Sequence, residues 1–284
     1  MPVKELTSTP SMATLYPRAV LGGLRKGGGD TLPDTELVRG GVTADPARLA
    51  AYNRVCGFRL TDELPATYPH VLAFPLQMAL MTEPDFPFPL LGMVHVANRI
   101  TQHRPLRLGE TFTLRVRAGN LRPHDKGTQF DVVSELLPGA KDAPVWTDVS
   151  TYLRRAGGSG APSEKRPELA QPSPSAVWSV PGDIGRRYAE VSGDRNPIHL
   201  HKLTARAFGF RSAIAHGMWT KARCLAAFEG RLPGAYTVDV RFQLPVFLPA
   251  KVAFTSWHED ERTWSFELWN ARRPKPHLRG TITD

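Results

Sequence analysis

The stretch "YAEVSGDRNPIHLHKLTARAFGFRSAIAHGM", residues 188–218, breaks a helical run at Gly193 and then crowds an acid, an amide, a proline and two histidines into residues 194–201. Asp194 and Asn196 are common turn formers, because Asx side chains hydrogen-bond their own backbone. The spacing also supports chemistry. Asp194 and His199 lie five positions apart across a turn stiffened by Pro197, so both could grip one water. Histidine titrates near working pH, and a partly buried aspartate can be tuned upward. Gly217 opens an apolar helix, where free N–H groups and the helix dipole favour negative charge and a glycine permits close approach. "HLH" has the look of a metal pair, but no further ligand cluster accompanies it, and His201 reads as a surface histidine. His216 reads as shaping the turn before the helix, and Tyr188 as packing.

Outward from this stretch the pattern repeats. In "HGMWTKARCLAAF", Met218, Ala222, Leu225 and Ala226 recur at helical spacing and would bury one face. Strand-like runs follow in "AYTVDVRFQL", "AKVAFTSWHE", "RTWSFELWN" and "HLRGTIT". The first half offers a glycine-bounded helix, the apolar helix "PHVLAFPLQMALM", and the runs "MVHVANRITQ", "TFTLRVRAG", "TQFDVVSELL" and "PVWTDVSTYLRR". Alternation joined by short turns predicts antiparallel sheets. A sheet wrapping one long helix is an α+β unit. "AYNRVCGF" (51–58) overlays "RYAEVSGD" (187–194), pairing Tyr52 with Tyr188 and Gly57 with Gly193 at an offset of 136. "QHRPLRLGETFTL" (102–114) overlays "FQLPVFLPAKVAF" (242–254), pairing Pro105 with Pro245 and Leu108 with Leu248 at an offset of 140. The shared order and spacing indicate an internal duplication. Glycine, serine and proline dominate "AGGSGAPSEKRPELAQPSPS", which predicts a linker at 156–175 between an N-terminal domain, 1–155, and a C-terminal domain, 176–284. The two copies should pair as a pseudo-dimer.

Composition sets limits. The chain is 41% hydrophobic and 22% charged, ordinary for a soluble globular protein with a core. No run approaches the roughly 18 apolar residues of a membrane helix, and "MPVKELTSTP" carries no apolar run behind its lysine, so a cytoplasmic location is expected. Two cysteines, Cys56 and Cys224, exclude a disulfide framework and fit buried thiols. The net charge of +9 invites a nucleic-acid reading. Its arginines and lysines are dispersed, however, without interleaved aromatics or a phosphate loop, and "GGLRKGGGD" (22–30) reads as a loop. A positive balance equally suits a ligand bearing phosphates.

The segment 188–218 closely resembles the hydratase-2 motif of MaoC-like (R)-specific enoyl-CoA hydratases and 3-hydroxyacyl dehydratases, through D-x-N-P-x-H at Asp194, Asn196, Pro197 and His199 and the later A-H-G-M at 215–218. "VRFQLPVFLPAKV" (240–252) also looks like that family, and the double length resembles its double-hot-dog members. The resemblance implies a double hot-dog of two antiparallel sheets, each wrapping a central helix. It implies reversible addition of water to a 2-enoyl thioester by the acid/base pair Asp194 and His199, with Asn196 orienting water or substrate and the Gly217 N–H in an oxyanion hole. It further implies a hydro-lyase needing no metal or redox cofactor, with substrate carried on CoA or acyl carrier protein. A pseudo-dimeric monomer or a homodimer would suit it, with neither nucleic acid nor membrane as partner. Hot-dog folds also host acyl-CoA thioesterases and could serve as non-catalytic acyl-thioester-binding proteins, so both remain alternatives.

The first half departs from the motif. Phe58 stands where Asp194 does, no D-x-N-P-x-H follows, and "AFP" (73–75) replaces "AHG" (215–217), with Pro75 lacking an N–H. One active site per chain is therefore expected, with "AFPLQMALM" and "FPFPLLGMV" available to line an apolar tunnel for the acyl chain.

Overall fold

A computed structural model of the chain describes residues 2–22, 31–90, 92–139, 142–155, 173–273 and 275–284. Residues 23–30 of the glycine-rich stretch and 156–172 of the expected linker lie outside the described residues. The first half contains β1 (Val3–Glu5), α1 (Met12–Gly22), β2 (Glu36–Thr43), α2 (Pro46–Cys56), α3 (Tyr68–Met81), β3 (Met93–Gln102), β4 (Thr111–His124), β5 (Gly127–Leu137) and β6 (Trp146–Arg155). The second contains β7 (Ala176–Val180), α4 (Ile184–Ser192), α5 (Pro197–Leu200), α6 (Lys202–Ala207), α7 (Gly217–Ala226), β8 (Tyr236–Phe242), β9 (Ala250–His258), β10 (Thr263–Asn270) and β11 (Pro276–Thr283).

Period-two burial shapes the sheet. In β4, Phe112, Leu114, Val116 and Ala118 are buried on one face while their neighbours are more open. α3 is apolar nearly all round and is buried from Tyr68 to Met81 on most of its surface, as such helices must be. The strands form one continuous sheet in the order β1-β2-β4-β5-β6-β3-β8-β11-β10-β9-β7. The two halves thus meet edge to edge, Ala97 to Gln102 of β3 running antiparallel to Arg241 to Tyr236 of β8.

The strand order makes the duplication visible. Outward from the β3–β8 seam, β6-β5-β4-β2 on one side mirrors β11-β10-β9-β7 on the other. α2 and α4 both end on a left-handed glycine, Gly57 at φ 85° and Gly193 at φ 83°, whose N–H returns to the carbonyl four residues back. Tyr52 and Tyr188, both buried, face one another at a ring separation of 6.2 Å. Leu64 N–H donates to Leu106 O at 2.8 Å, as Ala215 N–H does to Val246 O at 2.9 Å.

That ladder corrects one sequence-level alignment. Leu64, not Ala73, is the counterpart of Ala215, and Pro75 lies inside α3 rather than at its start. The reason is length: α3 has 14 residues against 10 in α7, so it begins earlier. Phe58 does follow the left-handed Gly57 as Asp194 follows Gly193, and it is buried against Tyr52. Gly57 to Tyr68 is a step of 11 residues, whereas Gly193 to Gly217 is one of 24, and α5 and α6 occupy the excess.

At the seam Lys221 of α7 is fully buried. Its ammonium donates to Asn98 Oδ1 at 2.5 Å, Asn98 O at 3.1 Å and Val238 O at 3.1 Å, spending all three hydrogens. Asn98 in turn donates to Asp148, which is also fully buried. Removing one partner of a buried charge network strands the other. Lys221→Met should therefore lower the unfolding free energy by about 3–5 kcal/mol, measured by urea titration.

Candidate active site

The site sits where the longer connection of the second half meets the first turn of α7. After α4 stops at Gly193, Asp194 turns back into a network of donors. Its Oδ1 accepts from Asn196 N–H at 3.1 Å and lies 3.3 Å from the Tyr16 hydroxyl. Tyr16 comes from α1, far away in sequence. Its oxygen accepts from Arg195 N–H, and its proton lies between Asp194 and the carbonyl of Gly193 at 3.3 Å. Asn196 caps α5, its side-chain oxygen accepting from Ile198 N–H at 3.4 Å.

His199, on α5, is 9% exposed and held at two levels. Ile198 O accepts from Ile214 N–H at 3.1 Å, and His199 Nδ1 meets Ile214 O at 2.8 Å. Since a carbonyl only accepts, Nδ1 carries the hydrogen and Nε2 is left with a lone pair. The carbonyl of His199 rests against Gly185 of α4, where an added Cβ would come within 2.0 Å of it. His216, the residue before α7, stacks on His199 at 3.7 Å between ring centroids. Its Nε2 donates to Asp194 O at 3.0 Å and lies 3.7 Å from Asp194 Oδ2. Gly217 follows with a backbone so close to Phe242 that a Cβ would stand 3.1 Å from the ring. Asp194, Asn196, His199, Gly217 and Tyr16 all line one cavity of about 2660 Å³, well above the roughly 300–1,000 Å³ of a drug-sized site.

Electrostatics distinguishes these groups. Burial pushes the Asp194 carboxyl up, but the neighbouring His216 and His199 rings, Asn196 N–H and the Tyr16 hydroxyl outweigh it and hold it below the usual carboxylate range. This corrects the expectation of upward tuning, which counted burial and not the donors. Burial lowers His199 below the ordinary histidine range against the opposing pull of Asp194 and the Ile214 bond. His216 is pushed down to about 3, chiefly by burial and then by His199. Burial and Asp194 together keep the Tyr16 phenol protonated. At neutral pH the arrangement is a carboxylate beside a neutral imidazole.

One donor atom from each of Asp194, His199 and His216 falls within 4.8 Å of the others, the density of a metal site. The two imidazoles are stacked at an interplanar angle of 25°, and His216 Nε2 already serves Asp194 O while its Nδ1 is buried without a partner. The Asp194–His199 separation does suit a single bridging water. His201 is exposed, and Tyr188 is buried with its ring 4.9 Å from His216, as the sequence suggested for both.

Sequence reasoning missed Tyr16 and Gly185. Nothing in "MATLYPRAVLG" points to Tyr16, because its partners are about 178 residues away. Gly185 carried a signal: a glycine within a helical run costs about 1 kcal/mol and usually has a packing reason. Gly185→Ala should displace the His199 backbone and lower activity by at least about tenfold, with far-UV circular dichroism unchanged. Full turnover in the variant would show that His199 tolerates the shift.

Comparison with known proteins places these features in context. The family described as "MaoC like domain" matches residues 164–278. The chain is 40% identical over 258 residues to 3-hydroxyacyl-thioester dehydratase X of Mycobacterium tuberculosis, covering 89% of this chain and 90% of that protein. It is similar to the crystal structure of HtdX from the same organism, with a TM-score of 0.77, 39% identity, and coverage of 87% of this chain and 98% of that one. A MaoC-like dehydratase from Phytophthora capsici shares the fold at a TM-score of 0.71 and 20% identity, over 87% of this chain and 94% of that one.

Proposed function

The chain belongs to the MaoC-like dehydratase family, and from that premise we infer that Asp194 and His199 carry out reversible hydration of a 2-enoyl thioester at the mouth of α7. The protein is a hydro-lyase, a 3-hydroxyacyl-thioester dehydratase of fatty-acid metabolism. The carrying observation is that a carboxylate oxygen of Asp194 and a ring nitrogen of His199 lie within 4.8 Å in the cavity that Gly217 also lines.

In the hydration direction, a water between Asp194 and His199 gives one proton to His199 Nε2 as its oxygen bonds to C3. The C2–C3 π electrons move toward the thioester carbonyl, and the charge arriving on that oxygen meets the Gly217 N–H at the start of α7. The imidazolium so formed is stabilised by the Asp194 carboxylate, and Nε2 returns one proton to C2. One water is consumed, and hydroxyl and hydrogen add from the same side. Both arrive from one face of the substrate, so the addition is syn. Asn196 holds the Asp194 carboxylate through its N–H and offers its amide NH₂ to water or substrate. The same site without metal or redox cofactor suffices for this chemistry, and the positive net charge suits a CoA or acyl-carrier-protein carrier. Within the described residues, no helix is long and apolar enough to cross a membrane, and we place the reaction in the cytoplasm.

Asp194→Asn or His199→Ala should each lower turnover by at least about 10²-fold with the fold intact, followed by loss of enoyl absorbance with crotonyl-CoA and longer enoyl-CoAs. Near-normal hydration by both would overturn the assignment. The pH profile supplies a second check. The reaction needs neutral His199 and ionised Asp194, and both groups titrate below their ordinary ranges. The acid limb of kcat/KM should therefore fall below the ordinary histidine value of about 6.5, with a plateau through neutrality. A limb centred above pH 7 would contradict it.

A further inference from the structure

A second polar cluster, in the half that lacks the motif, faces the same cavity. His70 on α3 is 5% exposed, and its Nδ1 meets Asp148 Oδ2 at 2.5 Å. Asp148 is fixed by Asn98 and by the Ser150 hydroxyl at 3.2 Å. With Nδ1 committed, Nε2 is the nitrogen that His70 can present to the cavity it lines. His95 of β3 also lines the cavity and stacks near His70, with centroids 6.3 Å apart and planes within 14°. Its Nε2 is enclosed without any hydrogen-bond partner. Burial, with His70 beside it, pushes His95 down to about 3; the ring bonds the Ala97 backbone, and because Nε2 has no partner that bond falls to Nδ1 and leaves Nε2 an acceptor. Tyr152 stacks on the other side of His95 at 4.8 Å, and Phe242 packs against it at 5.0 Å.

Position gives the cluster a meaning. Phe242 is the ring that contacts Gly217, so His95 lies one side chain beyond the point where the thioester oxygen would sit. Further along α3 the lining turns apolar at Phe74, Met78 and Met81, each about a turn from the last. A chain running from Gly217 along α3 would meet two imidazoles first and a greasy wall afterwards. An unpaired buried acceptor costs about 1–3 kcal/mol, a cost a tunnel for plain hydrocarbon would not carry.

We propose that His70 and His95 form a binding site for a hydroxyl group on the acyl chain beyond the reacting carbons, so that the enzyme favours thioesters of hydroxylated, otherwise apolar acyl chains. The proposal rests on the acyl-thioester reading above and names its substrate class. A hydroxyl matches the cluster because its O–H can donate to the partnerless His95 Nε2. A ketone could only accept and would leave His95 unpaired.

The test is equilibrium binding by isothermal titration calorimetry of dodecanoyl-CoA and its isomers bearing one hydroxyl on successive carbons beyond C3. One isomer should bind the wild-type protein about tenfold tighter than the plain chain. His95→Phe, which keeps the ring packing and removes the acceptor, should reduce that preference to within about twofold. No preference in the wild type at any position, or an undiminished one in His95→Phe, would overturn the proposal, and the wild-type result decides even if the variant fails to fold. Saturated chains are not turned over, so failure of hydration with the preference intact would count against the activity and not against this site.

Discussion

The hydrogen bond from His199 Nδ1 to the carbonyl of Ile214, 2.8 Å long, governs the rest of the site. It fixes which imidazole nitrogen carries hydrogen and leaves the other with its lone pair. Two segments 15 residues apart must be brought together to make it. The reciprocal Ile214 N–H to Ile198 O bond provides that, as does the bridge between Ile214 and Phe247. Gly185 lets α4 press against the His199 carbonyl from behind. The longer connection of the second half thus works as a clamp on one imidazole. The shorter connection of the first half has no residues to spare for it.

What was legible in the sequence followed from what is local. Strands with one buried face write period two into the chain, so "MVHVANRITQ" coincides with β3 at both ends. The outer strands β2 and β7 were unreadable: β2 has Gly40 and Gly41 at its centre and a register shift between Arg39 and Val42, and β7 abuts a proline- and serine-rich stretch. Asp194, Asn196 and His199 were legible because a tight turn holds them together whatever the rest of the chain does. Tyr16 was not, since only tertiary folding brings α1 to that turn. The alignment of Pro75 failed for the same reason: weak anchors cannot locate a gap, and only the pairing of Leu64 with Leu106 shows where α3 begins.

The pKa of Asp194 illustrates the limit in energetic terms. Burial is visible in a sequence as apolar surroundings, and burial alone raises a carboxyl. The opposing influences are first the His216 and His199 rings, then a backbone N–H two residues on and a phenol from the other end of the chain. The backbone bond is the Asx turn that the sequence suggests; the phenol has no sequence signature.

Asp194, which lines the cavity, and Asp148, buried behind His70, are carboxylates held in different ways. Asp148 accepts from Asn98, which also accepts from Lys221 Nζ, and it serves to orient His70. Among the described residues no lysine or arginine pairs with Asp194; against burial it is held below the usual carboxylate range by the His216 and His199 rings, then by the Asn196 N–H and the Tyr16 hydroxyl. A carboxylate supported by dipoles lacks a counter-cation. That lack is what makes it useful, because protonation of His199 supplies the missing positive charge at the moment water adds. The same residue type braces an imidazole from within the fold in one half and faces the cavity in the other.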